Sequence, residues 1–218
     1  MAEAPIVATL LARWLVNLIG GIFIGCTALV AGCSGRVRPS AGFWYESGNV
    51  KLDADSTSKL GGPVRAEDMQ QIEQISRAEL ARAFSGLNID FTNRRDAHWR
   101  VSVVSTVPVA GGSPAAGGSV QLGALGGRGS VAFVTLATIA IRYAPEGATR
   151  REMLEGIGRG IGCAAAHELA HQILGKAMRD DETDVDGYEY FSADRKSQYF
   201  GTLHWTISRP LLQQKLSK

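Results

Sequence analysis

The sequence predicts an α+β domain, in which a mixed twisted sheet packs on an N-terminal helix and on a second, later helix. Residues 66–87 place apolar side chains at helical spacing along one side of the first helix. Alternating strand patterns follow at residues 87–91 and 98–103. Thr149 and Glu152 then form a capping box at the start of the second helix. The order of helix, strands, loop, strand and helix favours this fold class.

The N-terminal segment differs from the rest of the chain. Residues 14–33 are almost wholly apolar and uncharged, and Arg13 precedes them. The run ends in Val30-Ala31-Gly32-Cys33, which is similar to a bacterial lipobox whose cysteine would be lipidated. An uncleaved membrane helix or a buried core helix is the alternative, since the run is about long enough to span a bilayer. We expect residues 1–33 to be a lipoprotein signal peptide or membrane anchor, which places the domain in the cell envelope, outside the cytoplasm.

Composition sets the domain boundaries and excludes one class of partner. Residues 34–62 are rich in Ser, Gly and Asp, which indicates a tether leading to a folded domain at residues 63–218. The net charge of +2, without a long Lys/Arg run, gives no reason to expect a nucleic-acid partner. If cleavage precedes Cys33, the mature chain keeps a lone Cys163, so we expect no disulfide and a buried thiol.

The segments between the two helices carry further expectations. Residues 110–130 are rich in Gly but lack the Gly-Lys-Ser/Thr ending of a phosphate-binding loop, so we expect a surface loop or an edge strand. Residues 131–143 are apolar and β-branched, which predicts a buried strand with a turn inside it. The glycines at 156, 158, 160 and 162 are unfavourable within a helix. They predict either close packing against the sheet or a helix that begins nearer Gly162.

Residues 167–171, His-Glu-Leu-Ala-His, fall within the second predicted helix. Residues four apart lie on one helical face, so the imidazoles of His167 and His171 can reach one ion, and neutral imidazole suits Zn²⁺. Glu168 can reach a water molecule at the metal without ligating the ion, as a general base for attack on a carbonyl. Structural or surface roles for both histidines are the alternative, because so short a motif also occurs by chance.

A zinc hydrolase usually binds its metal through three protein ligands and leaves one position for water. The acidic region at residues 180–194 offers the candidates for the third ligand. They are Asp180, Asp181, Asp184, Asp186, Glu189 and Asp194. His204 is the only later histidine, and its aromatic neighbours favour a packed role. A solvated acidic loop is the alternative for the whole region.

At His167, Glu168, His171 and Gly175 the chain resembles the metzincin clan of zinc peptidases. In that clan the zinc helix runs to a glycine turn and then to a third ligand, usually His and sometimes Asp, and a Met-turn under the metal follows. Here Gly175 comes four residues after His171 instead of three, and Tyr188 stands where the Met would be. The resemblance covers about residues 66–205.

The resemblance implies a third ligand soon after Gly175 and an edge strand at residues 120–124 that pairs with a peptide substrate. Its regular spacing falls on Met178, whose thioether is a poor zinc ligand. We therefore expect Asp180, the first carboxylate after the turn, to be the third ligand. Tyr190 matches a tyrosine that some clan members use near the metal, which implies a catalytic role.

Several alternatives for the third ligand stay open. Asp181 and His204 compete with Asp180 within the metzincin arrangement. If the clan is wrong, the rival is a zinc peptidase with Glu189 as third ligand and Asp194 behind a histidine.

Two functions follow from these residues. The first is a zinc metallopeptidase, in which residues 63–218 are the catalytic domain and a peptide or protein is the substrate. The second is a non-catalytic envelope lipoprotein with a degraded zincin fold that binds a partner or a metal. The intact Glu168 favours the first, because a pure binding module has no need of a base there. The unusual third ligand and Met-turn favour the second.

Overall fold

The sheet is mixed, as predicted. The computed structural model describes residues 38–46, 50–107, 118–121 and 127–217, and within them five strands pair in the order β2-β1-β3-β5-β4. The strands are β1 (Ser40–Tyr45), β2 (Asp90–Thr92), β3 (Trp99–Val104), β4 (Gly118–Gln121) and β5 (Arg128–Ala132). β2, β1, β3 and β5 are parallel neighbours, and β4 runs antiparallel to β5 at the edge. The α+β prediction is confirmed.

Six α-helices lie in the same residues. They are α1 (Ala54–Lys59), α2 (Ala66–Ala83), α3 (Phe133–Tyr143), α4 (Arg150–Leu174), α5 (Ser197–Phe200) and α6 (Ser208–Leu216). None of the helices in the described part is long and apolar enough to cross a membrane. The predicted signal peptide or anchor at residues 1–33 lies outside the described residues.

The structure differs from the predicted tether. β1 is an inner strand with β2 and β3 on its two sides, and Ala41, Phe43 and Trp44 are buried. Gly42 is needed there, because a Cβ atom would lie 2.2 Å from the carbonyl oxygen of Arg94. The Ser, Gly and Asp content therefore hid a short apolar strand and the capped helix α1, and the fold includes both Ser40–Tyr45 and Ala54–Lys59.

The predicted buried strand at residues 131–143 is also wrong for most of its length. β5 ends at Ala132, and α3 begins with the next residue. Phe133, Leu136, Ala137 and Ala140 are all buried, which is the i, i+3, i+4, i+7 spacing of a helix. Enrichment in β-branched residues was the misleading signal, because burial against neighbouring elements overrides intrinsic propensity.

Helix α4 begins at Arg150, with the predicted capping box. The Thr149 hydroxyl accepts from the Glu152 N–H at 3.3 Å, and the Glu152 carboxylate accepts from the Thr149 N–H at 2.7 Å. The helix is 25 residues long and continues through its glycines, so the alternative of a start near Gly162 is wrong.

The four glycines of α4 face other helices rather than the sheet. An added Cβ at Gly158 would lie 2.7 Å from Ile75 of α2, and at Gly162 it would lie 2.6 Å from Glu79 of the same helix. On another side, Gly156 and Gly160 meet Phe200 and Tyr199 of α5. The glycines lower the helix propensity of α4, but this cost is offset because neighbouring helices can approach its backbone closely on two sides.

Replacing Gly160 with Ala should destabilise the protein. Its Cβ would lie 2.2 Å from the Tyr199 ring, and overpacking of a core typically costs about 1–3 kcal/mol. Alanine is the better helix former by about 0.8–1 kcal/mol, so with the ring truncated in Tyr199→Leu the same change should become neutral or stabilising. Unfolding in urea measures all four proteins of this cycle, and an equal effect of Gly160→Ala in both backgrounds would contradict the packing argument.

Candidate metal centre

The two histidines lie on consecutive turns at the end of α4, as their spacing predicts. Their Nε2 atoms are 3.1 Å apart, and both side chains are largely buried. Nitrogens this close are unfavourable when both rings carry a proton there, whereas one shared cation satisfies both. The helix thus holds two imidazole nitrogens that point at one place.

The chain turns back just after α4. Gly175 ends the helix with φ of +58°, in the left-handed region, and its N–H donates to the His171 carbonyl. A 3-10 turn covers Gly175–Ala177, after which Met178 is buried, with its sulfur accepting from the Ser208 hydroxyl at 3.1 Å. Met178 therefore anchors the returning chain in the core instead of facing the histidines.

The return brings the Asp180 carboxylate beside both imidazoles. Its Oδ1 lies 2.9 Å from Nε2 of His171 and 3.4 Å from Nε2 of His167. Among the described residues, this is the one group of three or more His, Cys, Asp or Glu side chains whose donor atoms converge. A tetrahedral zinc ion with bonds of about 2.0–2.1 Å would separate its ligands by about 3.3 Å, so two nitrogens and one oxygen at 2.9–3.4 Å fit such an ion.

Charge within the group agrees with a cation site. Hydrogen bonding to His167 lowers the pKa of Asp180, which keeps that carboxylate ionised. Burial lowers the pKa of His171, and the neighbouring His167 adds to this effect. Burial acts the same way on His167, but the hydrogen bond to Asp180 and the charge of Glu168 outweigh it, and the pKa of His167 is raised. The side chain of Asp180 is 49% exposed, so the group opens to solvent on one side. An ionised carboxylate beside two imidazoles at a solvent-facing edge is a ligand set that suits zinc, with room for water.

Glu168 lies beside this group but on a different face of α4. It is 7% exposed and packs against β5, where a Cβ on Gly129 would lie 3.1 Å from the Cβ of Glu168. Burial raises the pKa of Glu168 to about 7, which is near the value that suits a general base at neutral pH.

Gln172 fixes this face of α4 to the sheet, a role that the sequence did not predict. The Gln172 amide accepts from the Arg100 N–H and donates to the Arg100 carbonyl, both at 2.9 Å. Gln172 lies one turn after Glu168, and a Cβ on Gly129 would lie 2.9 Å from its nitrogen. The i, i+4 spacing of Glu168 and Gln172 was the available signal, but their common neighbour Gly129 lies far away in sequence.

Tyr188, at the expected Met position, contacts His167 in a way that the sequence did not predict. Its carbonyl oxygen lies 2.8 Å from Nδ1 of His167, so the protonated Nδ1 donates and leaves Nε2 free to bind a metal. Tyr188 thus contacts the proposed metal ligand His167 through its backbone carbonyl.

The alternative third ligands point elsewhere. Glu189 is buried and accepts from the N–H groups of Thr206 and Ser208, where α6 begins. Asp181 accepts from the N–H and hydroxyl of Thr183. Backbone donors therefore occupy both carboxylates.

Three further candidates, His204, Asp184 and Asp194, also have other partners. His204 is 58% exposed rather than packed and pairs with Asp184 at 3.0 Å. Asp194 forms an ion pair with Arg142 at 2.6 Å. The ring of Tyr190 stacks under the Arg195 guanidinium, 4.9 Å from its centroid. A catalytic role for Tyr190 stays a prediction.

Part of the predicted edge strand is present, because β4 forms the sheet edge at Gly118–Gln121. Residues 122–126 lie outside the described residues. Within the register, Val120 pairs with Gly129, the residue that contacts Glu168. This edge of the sheet therefore runs beside the candidate base.

Comparison with known proteins adds one distant likeness. No protein-family model and no curated protein matches the chain. The fold is similar to the crystal structure of archaemetzincin from Methanopyrus kandleri, with a TM-score of 0.46 and 11% identity, over 83% of this chain and 97% of that one. A likeness this distant carries no argument about activity, so any function has to be argued from the residues of the site.

Proposed function

We propose that this protein is a zinc-dependent peptidase that hydrolyses peptide bonds, with Glu168 as general base. One observation carries the proposal: His167, His171 and Asp180 converge within 2.9–3.4 Å of one another while a buried carboxylate stands beside them. A purely structural cluster would explain the convergence but gives no reason to bury Glu168 next to it.

Three side chains would hold the metal, and each presents one ligand atom. His167 and His171 present Nε2, and Asp180 contributes one carboxylate oxygen from the returning chain. Bound zinc would supply Lewis acidity, which acidifies a water molecule and polarises a carbonyl group. The open side near Asp180 would admit both the water and the substrate.

Glu168 would take the proton from the attacking water and deliver it to the leaving amine. Its raised pKa suits both steps, because the carboxylate must gain a proton and release it again within one cycle. Burial against β5 keeps bulk water away from this carboxylate. Tyr190 remains the proposed second catalytic residue, and the β4 edge is the proposed place for an extended peptide.

A non-catalytic metal-binding or partner-binding protein with the same fold is the second candidate. Its support is that Tyr188, with a ring held in the core, replaces the methionine of the Met-turn that the metzincin resemblance leads us to expect. In both cases we propose an envelope protein held at the membrane by a lipid on Cys33 or by an N-terminal helix.

The full chain should bind about one zinc ion, and Glu168→Gln should keep this zinc while losing hydrolysis of unfolded casein. Removing a general base typically costs about 10²–10⁴ in rate. Glu155→Gln, an exposed change on the same helix, is the matched control and should remain active. An active Glu168→Gln would refute the assigned base, whereas zinc binding with an inactive wild type would favour the non-catalytic candidate.

Asp180→Asn should weaken zinc binding by more than about 100-fold, since the loss of an outer partner alone typically costs about 10–100-fold. Asp181→Asn alters a neighbouring carboxylate that bonds Thr183 and should bind zinc like the wild type. Competition with a chromogenic chelator measures the affinities. Equal affinities in both variants would show that Asp180 is not a ligand.

Lipidation of Cys33 predicts that Cys33→Ser blocks processing and leaves a larger precursor. The reason is that the Cys33 thiol would carry the lipid, and a serine has no thiol to accept it. Labelling of cells with an alkyne fatty acid measures the modification, with Cys26→Ser as the control. Unchanged labelling in Cys33→Ser would contradict the prediction.

A further inference from the structure

A second group of ionisable side chains lies buried behind the candidate metal centre. Its centre is Glu79 on α2, which is 6% exposed and receives donors from three residues. Arg82 donates to both carboxylate oxygens, at 2.6 and 3.1 Å, Tyr188 donates its hydroxyl at 2.9 Å, and the Cys163 thiol lies at 3.3 Å. Nothing in the proposed peptidase chemistry accounts for a carboxylate in this place.

The position of Glu79 depends on α4 being narrow where the two helices cross. Because Gly162 has no side chain, the Cβ of Glu79 lies only 2.6 Å from the place where a Cβ atom of residue 162 would be. Burial opposes ionisation of Glu79, but the hydrogen bonds from Arg82 and Tyr188 outweigh it, and the pKa of Glu79 is lowered. Glu79 is therefore a fixed carboxylate acceptor in the core, next to Cys163, which lies one turn before His167 on α4.

Tyr188 joins this carboxylate to the candidate metal centre. Its hydroxyl donates to Glu79, while its own carbonyl oxygen lies 2.8 Å from Nδ1 of His167. Its ring is held against Trp205, with centroids 4.8 Å apart, and the residue is 3% exposed. The backbone is also held at its amide, because the Tyr188 N–H donates to the His204 carbonyl at 2.8 Å. One end of Tyr188 is thus fixed by Glu79 and the other end meets the histidine.

We infer that Glu79 and Tyr188 are positioning residues that fix the tautomer and ring orientation of His167 for metal binding. This inference rests on the proposed metal site. A histidine that binds through Nε2 needs its proton on Nδ1, and an acceptor held in place on that side selects this tautomer. The carbonyl of Tyr188 is the acceptor, and the hydrogen bond to Glu79 keeps the residue from sliding along Trp205.

A purely structural role for the same contacts gives different expectations. A clamp between α2 and the Tyr188 segment would change the stability of the fold when weakened, but it would leave the preference of His167 for one tautomer intact. A buried tyrosine that does not contact a histidine is the control that separates the two roles. Tyr199 meets this need, because it is fully buried against α4 and donates its hydroxyl to the Ala193 carbonyl at 3.0 Å.

The test compares Tyr188→Phe with Tyr199→Phe in the full chain. Each change removes one buried hydroxyl and nothing else. Chelator competition measures the zinc affinity, and ¹⁵N chemical shifts of the His167 ring in the zinc-free protein measure its tautomers. Tyr188→Phe should bind zinc about 10-fold more weakly than wild type, and its His167 ring should populate both tautomers. Tyr199→Phe should keep a zinc affinity within about twofold of wild type, even if its Tm falls as much as that of Tyr188→Phe.

Glu79→Gln provides a second variant with the same shape. It keeps one carbonyl oxygen for the Tyr188 hydroxyl, so it should retain a larger share of the zinc affinity than Glu79→Ala. A wild-type tautomer ratio and zinc affinity in Tyr188→Phe would overturn the inference. Absence of zinc binding by the wild type would instead overturn the proposed metal site, while the tautomer measurement in the zinc-free protein would still decide the role of Tyr188.

Discussion

The close approach of α4 to its neighbouring helices is the constraint on which the rest of the structure depends. α4 crosses α2 through Gly158 and Gly162 and meets α5 through Gly156 and Gly160. Side chains at these positions would force the helices apart, because protein interiors are packed too densely to absorb them. The glycines weaken α4 as an isolated helix, but they allow this long helix to contact its neighbouring helices and the sheet at the same time. A rod held on several sides carries the candidate site at its C-terminal end.

This packing explains why the candidate site is rigid on one side and open on the other. The sheet side is fixed by Gln172, whose amide bonds the backbone of Arg100, and by the absence of a side chain at Gly129. The helix side is fixed by Glu79 and Tyr188. The segment after Gly175 lies on the third side of the site, and there Asp180 is half exposed. A metal site needs this combination, since fixed ligands lower the cost of binding while an open side admits water and substrate.

Local patterns were good predictors where a single element decides the outcome. The capping box at Thr149 marks the true start of α4, and the i, i+4 spacing of the histidines does place their nitrogens together. Patterns failed where burial overrode them. β1 was hidden in a polar stretch because its buried run, residues 41–44, is only four residues long. α3 looked like a strand because it is rich in β-branched residues, although it is a helix.

The sequence by itself determined the pair of histidines, the helix that carries them, the base candidate beside them and the glycine that ends the helix. It also ranked Asp180 first for the third position, but by elimination among several carboxylates. Only the tertiary structure decided which carboxylate returns to the histidines, because that depends on Met178 being anchored in the core and on Glu189 being occupied by backbone donors. The contact between Glu79 and Tyr188 spans 109 positions of sequence. No local pattern encodes such a pair, since its partners meet only when α2, α4 and the returning chain have packed.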